Sequence, residues 1–444
     1  MPTPFPHSYL PHTEAQRREM IDAVGVSSVD ELFADIPDAF RNPDITLPPA
    51  LTELELLREI GGLAKRNAVP GEVPCFVGGG VYRHFIPSVV GAMISRGEFL
   101  TSYTPYQPEV SQGTLQATYE YQSMICEITA MEAANAGMYD GASSLAEAAL
   151  MACRVTGRHS VIVHDTVNPR YRAVVDTYLV PQGVEVITVA PGGESISDAT
   201  ACVLTQYPDY FGAVRDLTPI ADAAHEAGAL LAVSADPVAL GMFRAPGEFG
   251  ADIVTGETQP IGVNMSFGGP FVGYFACRLS HIRQMPGRIA GRTVDHEGRI
   301  GYALTLQTRE QHIRRERATS NICTSEALIA TGTAVCLAAL GPGGLRRMAE
   351  LSYQKAHYVA AEIAALDSYE VVDNGPWFNE FVVRCPHTAL ETNAALWRRG
   401  IIGGIDAGSA VENGLLLSVT EMHTRAEIDA LVSALREIAG KGAQ

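Results

Sequence analysis

From about residue 70 to residue 310 the chain alternates short β-branched runs with amphipathic stretches, and that pattern narrows the fold more than any other feature. A short apolar run cannot bury both of its faces alone. Strands separated by helices bury them as a mostly parallel sheet with helices laid on it. Residues 160–164, 184–189, 201–206, 230–234, 253–255 and 271–276 read as strands; 112–129, 144–156, 170–180 and 217–227 read as helices. The expectation is an α/β fold in three parts: a helical arm over 1–70, a large α/β domain over 71–340 and a small α+β domain over 341–444. In the arm, Thr13 opens one helix and Ser27-Ser28 a capped second one, a proline-rich stretch runs from Pro37 to Pro49, and a leucine-rich helix spans 51–66. In the last part, helices are expected at 346–366 and 424–439 and strands at 370–372, 380–384 and 414–419.

Composition excludes several functions. With 50 acidic against 32 basic residues the formal charge is −18, and no basic run offers a footprint for a nucleic-acid backbone. Eight cysteines with no CxxC pair read as buried apolar side chains in a reducing compartment, not as metal ligands. The N-terminus lacks a basic start followed by an apolar core, so no signal peptide is expected. The most apolar stretch, 327–340, is too short to span a membrane and reads as a buried helix. The expected setting is cytoplasmic.

Four stretches could carry chemistry. Tyr139-Asp140-Gly141-Ala142-Ser143-Ser144 presents glycine and hydroxyls at a helix start, where backbone N–H groups receive phosphate or carboxylate; ordinary capping by Ser143 or Ser144 is the alternative. Asp236, at the carboxyl end of the 230–234 strand, could hold a protonated pyridine nitrogen as pyridoxal phosphate (PLP) requires, or it is a turn aspartate before Pro237. Ser102 to Gly113, with Tyr103, Tyr106, Gln107 and Glu109, is either a rigid ligand-facing loop or a structural connector. Arg314 to Thr324, with Thr319, Ser320 and Asn321, either binds an anion or ends a helix with solvated arginines.

One absence is sharper than these signals. Lysine occurs only at Lys65, Lys355 and Lys441, so 29 of the 32 basic residues are arginine. The glycine-rich loop after the 253–255 strand is where a PLP enzyme places its Schiff-base lysine, and none is there. Arginine, always protonated, cannot form that bond. An autonomous PLP lyase or aminotransferase is therefore disfavoured.

Several longer motifs resemble the P-proteins of the glycine cleavage system (glycine dehydrogenase, decarboxylating), and within them the first subunit of the two-subunit form. They are Gly78-Gly79-Gly80-Val81-Tyr82 with His84-Phe85-Ile86-Pro87, the 102–113 stretch, Tyr139 to Ala148, Gly256 to Gly262 with Ser266 to Gly273, Leu304 to Thr324, and Leu415 to Asp429. The resemblance implies a type I PLP-dependent transferase fold (aspartate-aminotransferase-like), with a large seven-stranded domain and a small C-terminal one. It also implies that PLP is bound covalently by a second P-protein subunit, with two copies of each chain. The assembled enzyme would decarboxylate glycine and pass the aminomethyl group to the lipoyl arm of H-protein. On that basis Thr319, Ser320 and Asn321 are expected to reach the partner's site, and Tyr103, Tyr106, Gln107 and Glu109 to line the approach of glycine or the lipoyl arm. Gly141, Ser143, Ser144 and Asp236 would be vestiges of a PLP site. The competing reading is a degenerate subunit that stabilises its partner and contributes no active-site group.

Overall fold

The structure is a computed structural model and describes residues 11–441 except 42, 44, 45 and 323. The signal-peptide reading falls largely on residues 1–10, and Cys323 and part of the Pro37–Pro49 stretch likewise lie outside the described residues.

Two compact units result, Met1–Ala68 and Val69–Gln444. In the first, Thr13 and Thr52 start the helices Glu14–Val24 and Glu53–Ala64 through reciprocal capping boxes with Gln16 and Glu55. The expected second arm helix is instead a 3-10 turn, Val29–Phe33, and Ser28 makes no side-chain cap. The reason is local: Glu31 accepts the Ser27 N–H at 2.9 Å, which holds the chain in a tighter turn. The leucine-rich helix leaves Leu54, Leu56, Leu57, Ile60 and Leu63 exposed.

The second unit contains a seven-stranded sheet of order β1-β7-β6-β5-β4-β2-β3. Its strands are β1 (Ala133–Ala134), β2 (Ser160–His164), β3 (Glu185–Val189), β4 (Thr200–Tyr207), β5 (Leu230–Ala235), β6 (Ile253–Glu257) and β7 (Gly273–Cys277). From β3 through β6 neighbours run parallel, while β7 and β1 join antiparallel. Alternation along β2 explains the two-sided burial. Val161 and Val163 enter one apolar cluster with Leu145, Ala149 and Phe275, while Ile162 enters another with Tyr121, Ile125 and Val203. The edge strand β3 is mostly exposed and carries Glu185 and Thr188 outward, as suits an edge that must stay unpaired.

A hairpin, β8 (Ile289–Val294) and β9 (Ile300–Thr305), follows the sheet and was not legible, because its 289–305 stretch mixes polar and apolar residues on both faces. The helices expected at 327–340 and 346–366 are one run, Ala327–Ala364, kinked at Gly341 (φ 62°, ψ 177°) just before Pro342. This helix is long and apolar enough to cross a membrane, but half of its most apolar 18-residue window is buried inside the fold. A four-stranded antiparallel sheet, order β10-β11-β13-β12, completes the unit: β10 (Glu370–Val371), β11 (Glu380–Arg384), β12 (Ile405–Asp406) and β13 (Gly414–Ser418). Phe381, Val383, Leu415 and Leu417 pack on Val359, Ile363, Leu431 and Leu435 of its covering helices.

Candidate functional site

In an open α/β sheet ligands collect beyond the carboxyl ends of the parallel strands. Here Asn168 follows β2, Gln206 lies near the end of β4, Asp236 follows β5 and Glu257 ends β6, and all four wall one cavity with Gly80, Tyr82 and Tyr171. The cavity holds about 30 Å³. That is room for roughly two waters, whereas a small-molecule pocket has roughly 300–1,000 Å³.

Three features fill the crevice. The helix Gly141–Thr156 begins there, capped by Asp140, whose side chain accepts from the Ser143 N–H at 2.7 Å. The cap is therefore Asp140, not Ser143 or Ser144; their hydroxyls turn to the Asp140 backbone, Ser144 Oγ donating to its carbonyl at 2.6 Å. The Gly141 N–H, which would face a phosphate, donates to Glu257 Oε2 at 3.1 Å. The other Glu257 oxygen accepts from the N–H groups of Gln259 and Val272, both at 3.0 Å. A carboxylate of the chain itself thus occupies the backbone cradle that an anion would take. Burial outweighs these three donors and pushes Glu257 up to about 7.

Above it runs the Gly78–Tyr82 segment. Gly79 N–H and Tyr82 Oη both donate to Glu380 of β11, at 2.7 Å each, and Asn168 Nδ2 donates to the Gly79 carbonyl at 2.9 Å. A Cβ on Gly78 would stand 2.3 Å from Glu380 Oε1, so the close approach demands glycine. Burial likewise raises Glu380 to about 7. Asp236 accepts the Val238 N–H at 2.8 Å, the turn expected before Pro237, while also facing the cavity; burial raises it too. On its far side His84 Nδ1 sits 2.6 Å from Glu421. Burial alone would lower His84, but the Glu421 carboxylate raises it.

Pyridoxal phosphate does not fit this crevice. Its volume is an order of magnitude too small, Glu257 holds the helix-start N–H, and the loop after β6 carries Gln259 and Pro260 rather than a lysine.

The pair Glu257 and Glu380 makes a signed prediction. Each is held protonated in the folded chain up to about 7 but ionises near 4.5 when unfolded. The folded state then binds more protons between those values, so stability falls as pH rises from about 4.5 to about 7 and is flat above. The double variant Glu257→Gln, Glu380→Gln should have a denaturation midpoint that varies less across this window than the parent; equal slopes would refute the assignment.

The remaining expected site residues lie elsewhere. Tyr103 is 83% exposed and walls a cleft of about 390 Å³ with Arg288 and Glu326. Tyr106 Oη accepts from Arg288 Nη2 at 2.6 Å, and the same guanidinium stacks 5.1 Å from the ring centroid. Gln107 and Glu109 are exposed on the turn Pro108–Val110 and its N-terminal flank. Thr319 donates its N–H to the Arg309 carbonyl at 3.0 Å, Ser320 Oγ donates to Glu147 Oε1 at 2.8 Å, and Asn321 is exposed. Sequence reasoning missed Glu257, Tyr171, Tyr82 and Glu380. The signal for Glu257 was present in Gly256-Glu257-Thr258, which was read for its missing lysine and not for its acid. Among the described residues no group of side chains could hold a metal ion.

Two solved structures share the architecture at low identity. A sphingosine-1-phosphate lyase of Burkholderia pseudomallei superposes with TM-score 0.63 at 15% identity, covering 91% of this chain and 94% of that one. A NifS-like protein superposes with TM-score 0.60 at 12%, covering 83% and 99%. The fold is thus the type I PLP-dependent transferase fold, here with its crevice closed. A crystal structure of glycine decarboxylase (P-protein) of the glycine cleavage system, in inhibitor-bound form, matches with TM-score 0.91 at 45% identity over 97% of this chain and all of that one. The family model of the glycine cleavage system P-protein matches residues 7–435. A probable glycine dehydrogenase (decarboxylating) subunit 1 of Thermomicrobium roseum is 49% identical over 97% of this chain and 99% of that protein. One of Desulfitobacterium hafniense is 47% identical over 97% and 100%. The chain belongs to the glycine cleavage system P-protein family.

Proposed function

We propose that the chain is the first subunit of a two-subunit glycine dehydrogenase (decarboxylating), acting with a second P-protein subunit that carries the PLP-binding lysine. The observation that carries this reading is the pairing of full-length family membership with a crevice that has no lysine and is closed by Glu257. With its partner it decarboxylates glycine and delivers the aminomethyl group to the lipoyl arm of H-protein, in the cytoplasm, as an assembly of two copies of each chain. Tyr103, Tyr106, Gln107 and Glu109 serve the approach of glycine or the lipoyl arm, and Thr319, Ser320 and Asn321 reach toward the partner's cofactor. Gly141, Ser143, Ser144 and Asp236 are vestiges. The chain keeps the three-part organisation, divided near residues 70 and 340.

The scaffold reading keeps one supporting observation: Ser320 already spends its hydroxyl on Glu147 within the chain. The two readings separate by Asn321→Ala. Release of labelled CO2 from glycine by the mixed subunits with H-protein should fall roughly ten- to hundredfold if the loop orients a reacting group. Unchanged release, with unchanged affinity between the subunits, would leave only the scaffold.

A further inference from the structure

The helix Ala389–Trp397, which lies between β11 and β12 in the chain, is apolar on two sides. Ala389, Ala395 and Leu396 are buried and join the apolar cluster of the small sheet. The other side carries Leu390, Ala394 and Trp397, four and three residues apart and therefore in one stripe. All three are exposed, Leu390 by 78% and Trp397 by 57%. Among the described residues from 314 to 441, Leu390 and Trp397 are the only large apolar side chains left exposed. A surface helix normally keeps its outward side polar, and one that is apolar all round is normally covered.

The charges beside the stripe decide what covers it. Glu391 and Arg398 are both exposed and stand seven residues apart, so they flank the stripe on the same side. The acid lies at the start of the helix, where its Oε2 accepts the Thr388 N–H at 3.1 Å and the Thr388 hydroxyl at 2.8 Å. The base lies at the end, in the C-cap position. A two-fold axis beside Ala394 lays a second copy of the helix antiparallel to the first. That rotation sets Leu390 against Trp397 of the second copy and Glu391 beside Arg398 of the second copy, each twice over. Ala394 meets itself on the axis, where a side chain of one carbon lets the two backbones approach. A parallel pairing would oppose acid to acid and base to base.

We propose that two copies of this chain pair through the helix Ala389–Trp397, antiparallel about a two-fold axis at Ala394. A contact of this kind requires a patch complementary to itself, and this one is so in charge, in apolar pattern and in the placing of its smallest residue. Trp397 is the anchor, a residue type that concentrates binding energy at the centre of interfaces. The inference gives the two-copy assembly proposed above a contact surface. It stands on this face alone, because no residue of the crevice or of the second subunit enters it.

Ala394→Cys tests the axis. After mild oxidation of the full chain, alone and mixed with a second P-protein subunit, this variant should form a disulfide-linked pair of this chain, because the two copies of residue 394 face each other. Leu390→Cys should not, since its two copies stand about eight residues, or roughly 12 Å, apart along the paired helices. The parent chain, in which six of the seven described cysteines are buried, sets the background. In sedimentation velocity the parent chain should self-associate with a dissociation constant on the order of 10 µM, as suits a contact of one helix per side. Leu390→Glu with Trp397→Glu should weaken that association at least about tenfold, and both positions are exposed enough to leave the core untouched. Absence of a cross-link at Ala394→Cys, a cross-link from it to the second subunit instead, or equal cross-linking at Leu390→Cys would overturn the pairing. So would a monomeric parent chain, or association unchanged by the double substitution. Such a failure is distinguishable from failure of the two-subunit reading, which is measured by CO2 release from glycine.

Discussion

Incubated with pyridoxal phosphate and reduced with borohydride, the isolated chain is expected to carry no stoichiometric lysine adduct, whereas a mixture with the second subunit should carry one per pair, on the partner. The three available amines explain the first half. Lys355 Nζ donates to the carbonyls of Glu421 and His423, the latter at 2.8 Å, beneath the small sheet. Lys65 caps the C-terminal end of the helix Glu53–Ala64, and Lys441 is the last residue of the helix Arg425–Lys441. The crevice itself offers about 30 Å³ and no amine. Peptide mapping of the reduced protein reads the result directly. Full modification of any one of the three lysines would remove the basis for a partner-dependent enzyme, because the chain could then hold the cofactor alone.

The second large effect is on folding. Gly212 sits at φ +90°, and a Cβ there would stand 1.9 Å from the backbone oxygen of Glu380. The turn Asp209–Ala213 pins the segment leading into β11: Phe378 N–H donates to the Gly212 carbonyl at 3.0 Å and Val214 N–H to the Pro376 carbonyl at 2.7 Å. Gly212→Ala must therefore push β11 away, and with it the Glu380 carboxylate that anchors Gly79 and Tyr82. A stability loss of about 3–5 kcal/mol is expected, the sum of overpacking and left-handed strain. Gly183→Ala is the control: it has φ +75° and nothing within 4 Å of a Cβ, so only the conformational part, about 1–2 kcal/mol, applies. Denaturant midpoints of the two variants test this, and equal losses would show that the clash is absorbed.

The large sheet was readable because its strands are buried on both faces and punctuated by helices. Runs such as Val161-Ile162-Val163 and Leu230-Leu231-Ala232-Val233 admit few other structures. The hairpin at 289–305 escaped because Arg292, Tyr302 and Thr305 interrupt the alternation, and β1 and β12 escaped because two residues carry no period. The candidate site divides in the same way. Asp236 and the 139–144 loop were visible from their place at the end of a strand and the start of a helix. Glu380 and Tyr82, which close the crevice, stand 298 residues apart, and no local pattern announces such a pairing.

Glu257, lodged at the start of the Gly141–Thr156 helix, has a consequence for the economy of the cell. If the partner alone carries the cofactor, a chain whose own carboxyl group fills that helix start folds without waiting for a vitamin. On the proposed assembly, starvation for vitamin B6 leaves this half intact and limits only its partner, so the supply of active enzyme follows the partner's loading while this chain stands ready in excess.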